Sequence, residues 1–312
     1  MNTEEKPPLI IIVGPTAVGK TEIAVQLAEK LRGEVISADS RMFYRGMDIG
    51  TAKPSLKERR GVPHHLIDIA DPDEVISLAD FQQKAGAAIA GVLDRSRLPF
   101  LVGGTGQYIR SVTESWQPPS VVANEKLRQA LNRLKEEKGQ AWIFDKLSIL
   151  DPSAAEKIDP RNVRRVIRAL EVILATGQLF SNQRRRGRSG YRYLTIGLMR
   201  PRADLYARVD ERIDAMFERG LIQEAADLVK RGYSPELPSM SAIGYPECMK
   251  VLKGEWDIEA AKKEMKRLTR IFIRRQANWF KEGDPTIQWF AAGDPHVPIE
   301  IEHVVRSWFA MA

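Results

Sequence analysis

Apolar positions along the chain follow two rhythms. Leu9 to Val13 are five consecutive apolar residues, the pattern of a short strand buried on both faces. Ile23, Ala24, Leu27, Ala28 and Leu31 then recur at helical spacing over 20–32, with Gly33 placed to stop the helix. The succession repeats. "EVISAD" (34–39) and "LPFLVGG" (98–104) read as strands, and 78–95 as a helix between them. Strands alternating with helices predict an α/β protein with a parallel sheet and crossover helices. "WQPPS" (116–120) breaks the pattern, because two prolines stop a helix. Residues 124–180 read as helical almost throughout, with breaks near Gly139 and at Asp151-Pro152. "RRRGRSG" (184–190) is a basic loop, and "YRYLTIGLMRP" (191–201) returns to strand character. From 202 onward the chain reads as mostly helical.

Charge separates the middle segment from the rest. Of the 312 residues, 43% are hydrophobic, enough for a large core, and the formal net charge is +7. Residues 117–195 hold 16 Lys and Arg against 8 Asp and Glu, a net of +8; the remainder holds 32 against 33. The excess positive charge therefore lies in one segment, a candidate nucleic-acid surface. Its densest parts are "RNVRRVIR" (161–168) and "RRRGR" (184–188). One cysteine, Cys248, rules out a disulfide framework within the chain, and four histidines show no zinc spacing. The polar N-terminus and the short apolar run after it predict neither a signal peptide nor a membrane span, so a soluble cytoplasmic protein is expected; a monomer is the separate expectation for its assembly.

The first strand leads into Gly14-Pro15-Thr16-Ala17-Val18-Gly19-Lys20-Thr21, a match to G-x-x-x-x-G-K-[ST] followed by a helix. In such a loop, glycines let successive N–H groups point at an anion, and the helix N-terminus faces the same way. Lys20 adds a point charge, and Thr21 offers a hydroxyl suited to Mg²⁺. The loop recognises two linked phosphates and is indifferent to what carries them, so nucleotide and non-nucleotide diphosphates stay open. Asp39 stands at the end of the second strand, the edge where open parallel sheets build their sites. Mg²⁺ coordination and general-base work are both open to it. The expected architecture is a P-loop NTPase-like parallel sheet flanked by helices, formed by 1–116 and 191–312. A basic all-helical insertion, 117–190, interrupts it.

"GPTAVGKT", "SADSRMFYRGMDIGTAKP", "VPHHLID", "LVGGTGQYI", "RRVIRALEV", "GLMRPRADLYARVDERI", "MSAIGYPE" and "TRIFIRRQANWF" follow in this order. Together they resemble the bacterial tRNA dimethylallyltransferases, also called tRNA isopentenyltransferases, over nearly the whole chain. The resemblance implies transfer of a dimethylallyl group from dimethylallyl diphosphate to N6 of the adenine just 3′ of the tRNA anticodon. Diphosphate leaves and no ATP is consumed, so the loop would hold a leaving group. By the same resemblance Asp39 is the general base, Thr105 lies at the active-site edge, and Arg212 helps neutralise the diphosphate. The resemblance also implies that the target adenine is flipped out of its loop and that Asp39, Ser40, Arg41, Met42 and Thr105 face it, with the following residues assigned in the same way. Arg128, Arg161, Arg164, Arg165 and Arg168 face the anticodon arm. Ser241, Gly244 and Tyr245 belong to another tRNA-facing segment. That segment departs from the usual pattern: Ser241 stands in place of a common Gln or Arg, and Pro246 in place of a common Lys or Arg.

Three other readings share parts of this sequence. A small-molecule P-loop kinase would need ATP and no basic insertion. An adenosine-phosphate prenyltransferase would lack the long insertion. A non-catalytic RNA-binding P-loop protein would not need Lys20, Thr21 and Asp39. The helix around 269–280 packs Ile271, Phe272 and Trp279, leaving Arg270 and Arg275 for RNA. His64 and His65 are adjacent, so their side chains diverge, and no Cys or third His stands near them in sequence.

Overall fold

Leu9 to Val13 form the middle of a parallel sheet and are wholly buried. The computed structural model describes residues 6–116, 119, 124–183 and 187–310. Gln117, Pro118 and Ser120 of the expected break, and Arg184 to Arg186 of the basic loop, lie outside the described residues. The strands are β1 (Pro8–Val13), β2 (Gly33–Ser37), β3 (His64–His65), β4 (Leu98–Gly103), β5 (Arg192–Met199) and β6 (Ile287–Ala291). They pair in the order β3-β2-β4-β1-β5-β6, every pairing parallel. Helices α1 (Lys20–Lys30), α2 (Leu56–Arg59), α3 (Leu78–Asp94) and α4 (Gly106–Thr113) belong to the N-terminal half. The strand order places β1 between β4 and β5, so the loop after β1 opens at the carboxyl edge beside the ends of both.

The chain packs as two units, Met1–Thr113 with Ser189–Ala312, and Glu114–Arg188. The second contains α5 (Glu125–Lys138), α6 (Gln140–Leu150), α7 (Pro152–Ala155) and α8 (Val163–Thr176). Its own core includes Leu131, Ile143, Leu147, Ile158, Val166, Leu170 and Ile173. Asp151 explains the break at Asp151-Pro152. It is fully buried, and its carboxylate accepts the N–H of Ala154 at 3.0 Å and of Ser181 at 2.8 Å. The first unit continues with α9 (Arg202–Glu218), α10 (Leu221–Lys230), α11 (Tyr245–Leu252), α12 (Ile258–Ala277) and α13 (Val297–Ala310).

Local readings differ from the structure in three places. Gly33 does not stop α1. Arg32 takes the left-handed turn with φ 53°, and Gly33 opens β2, where a Cβ would meet the Phe100 ring at 2.3 Å. Its smallness serves packing. Residues 156–162 interrupt the helical insertion, and Asn162 caps α8 by accepting the N–H of Arg165 at 3.3 Å. β6 lies in the stretch read as mostly helical. It is a five-residue edge strand, IQWFA, too short to set a strand period apart from the helices around it, and only Ile287 in it is buried.

Candidate active site at the carboxyl edge of the sheet

The loop between β1 and α1 uses the left-handed region three times, at Gly14 (φ 148°), Ala17 (φ 66°) and Gly19 (φ 109°). A Cβ at Gly14 would meet the Leu198 carbonyl oxygen at 2.6 Å, so the first glycine is required by backbone and neighbour together. Lys20 opens α1, and its ammonium donates to the carbonyls of Gly14 (3.0 Å) and Pro15 (2.8 Å). Burial pulls the Lys20 pKa down to about 8; Asp39 opposes the shift and Arg212 adds to it. The Thr21 hydroxyl, on the first turn of α1, makes no hydrogen bond among the described residues. Side chains distant in sequence hold the loop from outside. Arg200 Nε donates to the Val18 carbonyl at 3.0 Å, Arg208 Nε to the Ala17 carbonyl at 2.8 Å, and Gln276 Oε1 accepts the Thr16 N–H at 2.8 Å.

Asp39 follows β2 directly, where the Ala38 N–H still pairs with the Val102 carbonyl at 2.8 Å. One carboxylate oxygen, Oδ1, accepts the Arg41 N–H at 3.0 Å, a local turn that aims the group. Lys20, Asp39 and Arg212 feel one another electrostatically, so one carboxylate and two cations share the field of this edge. Burial lowers the pKa of Arg212 and Asp39 counteracts it. Thr105 ends the β4–α4 turn, where its carbonyl accepts the N–H groups of Tyr108 (2.9 Å) and Ile109 (3.2 Å). The P-loop, Asp39, Thr105 and Arg212 thus come from four elements of the first unit.

The segments read as facing RNA are joined to each other. Arg41 donates to the carbonyls of Pro238 (3.0 Å) and Ser239 (3.3 Å), and to the Ser241 hydroxyl at 3.4 Å. Ser40 lies near the Tyr108 phenol, and Met42 Sδ accepts from the Ser37 hydroxyl at 3.6 Å. Gly244 has φ 114°, and its N–H donates to Glu247 at 2.7 Å. Tyr245 is different in kind. Its side chain is wholly buried, and its hydroxyl donates to Glu224 at 2.8 Å. Glu224 also accepts the N–H groups of Asp48, Ile49 and Gly50. Tyr245 therefore serves the interior, bracing the turn of "DIGTAKP", and its ring presents no surface to a tRNA in this conformation.

In the second unit the predicted arginines divide. Glu171 is fully buried and accepts Arg128 in a two-pronged pair (both 3.0 Å), Arg168 at 2.6 Å and the Asn124 N–H at 2.7 Å. Burial alone would raise its pKa; the bonds from Arg168, Arg128 and Asn124 overcome this and hold it below the usual range. Arg161 pairs with Asp159 at 2.9 Å. The side chains of Arg164 and Arg165 have no partner among the described residues. Outside the site, Arg270 pairs with Asp210 at 2.6 Å, so its guanidinium is committed to α9. His65 pairs with the buried Glu34 at 2.7 Å, and His64 Nδ1 bonds the Val62 carbonyl at 2.8 Å.

A family model described as IPP transferase matches residues 42–283. The chain belongs to the IPP transferase family. The tRNA dimethylallyltransferase of Roseiflexus sp. (strain RS-1) is 48% identical over 301 residues, covering 96% of this chain and 98% of that protein. The tRNA dimethylallyltransferase of Chloroflexus aurantiacus (strain ATCC 29366 / DSM 635 / J-10-fl) is 50% identical over 273 residues, covering 88% and 92%. Among solved structures, the full-length tRNA isopentenylpyrophosphate transferase of Bacillus halodurans superposes with a TM-score of 0.72 at 44% identity, over 97% of this chain and 96% of that one. A eukaryotic dimethylallyltransferase acting on tRNA gives 0.78 at 29% identity, over 96% and 77%. Within this IPP transferase, sequence reading missed Gln276, Glu224, Arg200, Arg208 and Glu171. Each holds backbone or another side chain far away in sequence, and no local spacing marks such a partner.

Proposed function

We propose that the protein transfers a dimethylallyl group from dimethylallyl diphosphate to N6 of the adenine adjacent to the anticodon on its 3′ side, releasing diphosphate. The observation that carries this reading is the joint electrostatic field of Lys20, Asp39 and Arg212 beside a P-loop in an IPP transferase. The backbone N–H groups of Ala17 and Gly19, with Lys20 and Arg212, bind the diphosphate. As the allylic C–O bond breaks, they take up the charge that develops on the departing oxygen. The N6 lone pair forms the new C–N bond, and Asp39 accepts the N6 proton. Such proton removal is worth roughly 10²–10⁴ in rate. Thr105 borders the reacting groups. The target adenine is extruded from its loop to reach them, and the "DSRM" segment clipped to 238–241 faces it.

Mg²⁺ fits the donor set. The Thr21 hydroxyl is a hard oxygen donor and makes no hydrogen bond among the described residues. When bound, the ion supplies further neutralisation of the diphosphate. The basic second unit supplies phosphate contacts to the anticodon stem. The protein acts as a monomer in the cytoplasm; among the described residues no helix is long and apolar enough to cross a membrane. A single incubation tests the reading, with labelled dimethylallyl diphosphate, tRNA, AMP and a small-molecule kinase acceptor. Label is expected on tRNA alone, with no ATP requirement. Label on AMP, or turnover that depends on ATP, refutes it.

A further inference from the structure

Thr105 stands between two glycines, and one helix end presses on both. A Cβ at Gly104 would lie 2.3 Å from Gln276 Nε2, and a Cβ at Gly106 would lie 2.4 Å from the Trp279 ring. Gln276 is 6% exposed near the end of α12. Its Oε1 accepts the Thr16 N–H at 2.8 Å, and its Nε2 donates to the Gly104 carbonyl at 3.4 Å. One uncharged amide therefore ties the diphosphate loop to the turn that carries Thr105. Arg110 seats the second contact, donating to the Trp279 carbonyl at 3.2 Å and lying over its ring.

We propose that Gln276 is a positioning residue for the transfer, one that sets the spacing between the P-loop and Thr105; this rests on the reaction proposed above. The job calls for an amide. A donor and an acceptor on one planar group satisfy an N–H on one side and a carbonyl on the other. A glutamate would keep the acceptor, lose the donor, and bring negative charge to a loop that receives diphosphate. A methionine would fill the volume and leave the Thr16 N–H without a partner. Gly104 completes the device, because a side chain there would push the amide away.

The test compares Gln276→Met, Gln276→Glu, Gly104→Ala and the double variant Gln276→Met/Gly104→Ala. The readouts are thermal unfolding, tRNA affinity, pyrophosphate affinity and single-turnover transfer. A misplacement near 1 Å costs about 10²-fold, so Gln276→Met should lose roughly 10–10²-fold in transfer rate. Its melting temperature and tRNA affinity should stay close to wild type. Gln276→Glu should weaken pyrophosphate binding more than Gln276→Met does, because it adds like charge. Gly104→Ala should reproduce the rate loss, and the double variant should be no slower than the slower single, because both break one bridge. Wild-type rate in Gln276→Met overturns the inference. Losses that multiply in the double variant, or that follow only from unfolding or weak tRNA binding, overturn it too. A wild-type protein that transfers nothing to tRNA sinks the reaction itself, and the positioning role with it.

Discussion

Removing the Glu171 carboxylate should loosen the second unit and leave the first untouched. Glu171→Ala leaves the guanidinia of Arg128 and Arg168 without their shared anion, and the Asn124 N–H without its acceptor. Breaking a fully buried pair costs about 3–5 kcal/mol. Here the arginine side chains are 34% and 28% exposed, so water recovers part of that. We expect about 2–3 kcal/mol, or roughly 30–150-fold in an opening equilibrium. Amide exchange followed by mass spectrometry reads the two units separately. Protection in 125–138 and 163–176 should fall by that factor, while β1, β4 and β5 keep theirs. The pH dependence has a defined sign. The bonded carboxylate has a folded pKa below its ordinary value of 4.5. Its contribution is therefore complete above about 4.5 and is lost as pH falls through the folded value. Unchanged protection, or a loss spread evenly over both units, would refute the latch.

With Arg128 and Arg168 held by Glu171, Arg164 and Arg165 are the arginines to test for RNA binding. Arg164→Ala/Arg165→Ala should flatten the salt dependence of tRNA binding by up to two contacts' worth, about 0.7–0.9 log units each, and leave dimethylallyl diphosphate affinity unchanged; an unchanged slope moves the grip elsewhere. Asp39→Asn keeps an oxygen for the Arg41 N–H and removes the base, so turnover should drop about 10²–10⁴-fold at near-normal tRNA affinity; a collapse of tRNA affinity would reassign Asp39. Lys20 with a pKa of about 8 is charged below that pH, so diphosphate affinity should decline as pH rises from 7 to 9.5, and Lys20→Met should abolish the trend. In folding the sign is opposite: the unfolded chain holds the Lys20 proton more tightly, so this group adds stability as pH rises from about 8.

Elements were legible where a local pattern records burial or turning. β1 is an unbroken apolar run with glycines behind it, and α1 carries its buried face at helical spacing. β6 was not legible, because its five residues, IQWFA, are too few to set a period apart from the helices around them. The candidate site residues were named for the same local reason: P-loop and "DSRM" spacings are short. Their supports were not. Gln276 meets Thr16 across 260 positions, and Glu224 meets Asp48 across 176. A resemblance to a family also names residues without separating those that meet a substrate from those that hold the fold. Tyr245 shows this, since its position matches while its ring lies in the core.

The two departures in the "SAIGYP" segment follow from the same distinction. Arg41 is held by the carbonyls of Pro238 and Ser239, which any residue supplies. Position 241 adds only an acceptor for the second guanidinium nitrogen, and the Ser241 hydroxyl provides it while donating to the Pro238 carbonyl at 2.6 Å. A short hydroxyl thus closes the joint without reaching outward. Pro246 sits in the first turn of α11, just after Gly244 and Tyr245. Backbone N–H groups there have no partner within the helix, so a proline costs no hydrogen bond and pre-sets the helical φ. Both substitutions keep the scaffold that orients Asp39 and Arg41, and both remove a long polar side chain from the surface beside it. Under the proposed reaction, we therefore assign RNA contacts at that edge to the "DSRM" segment more than to 241 and 246.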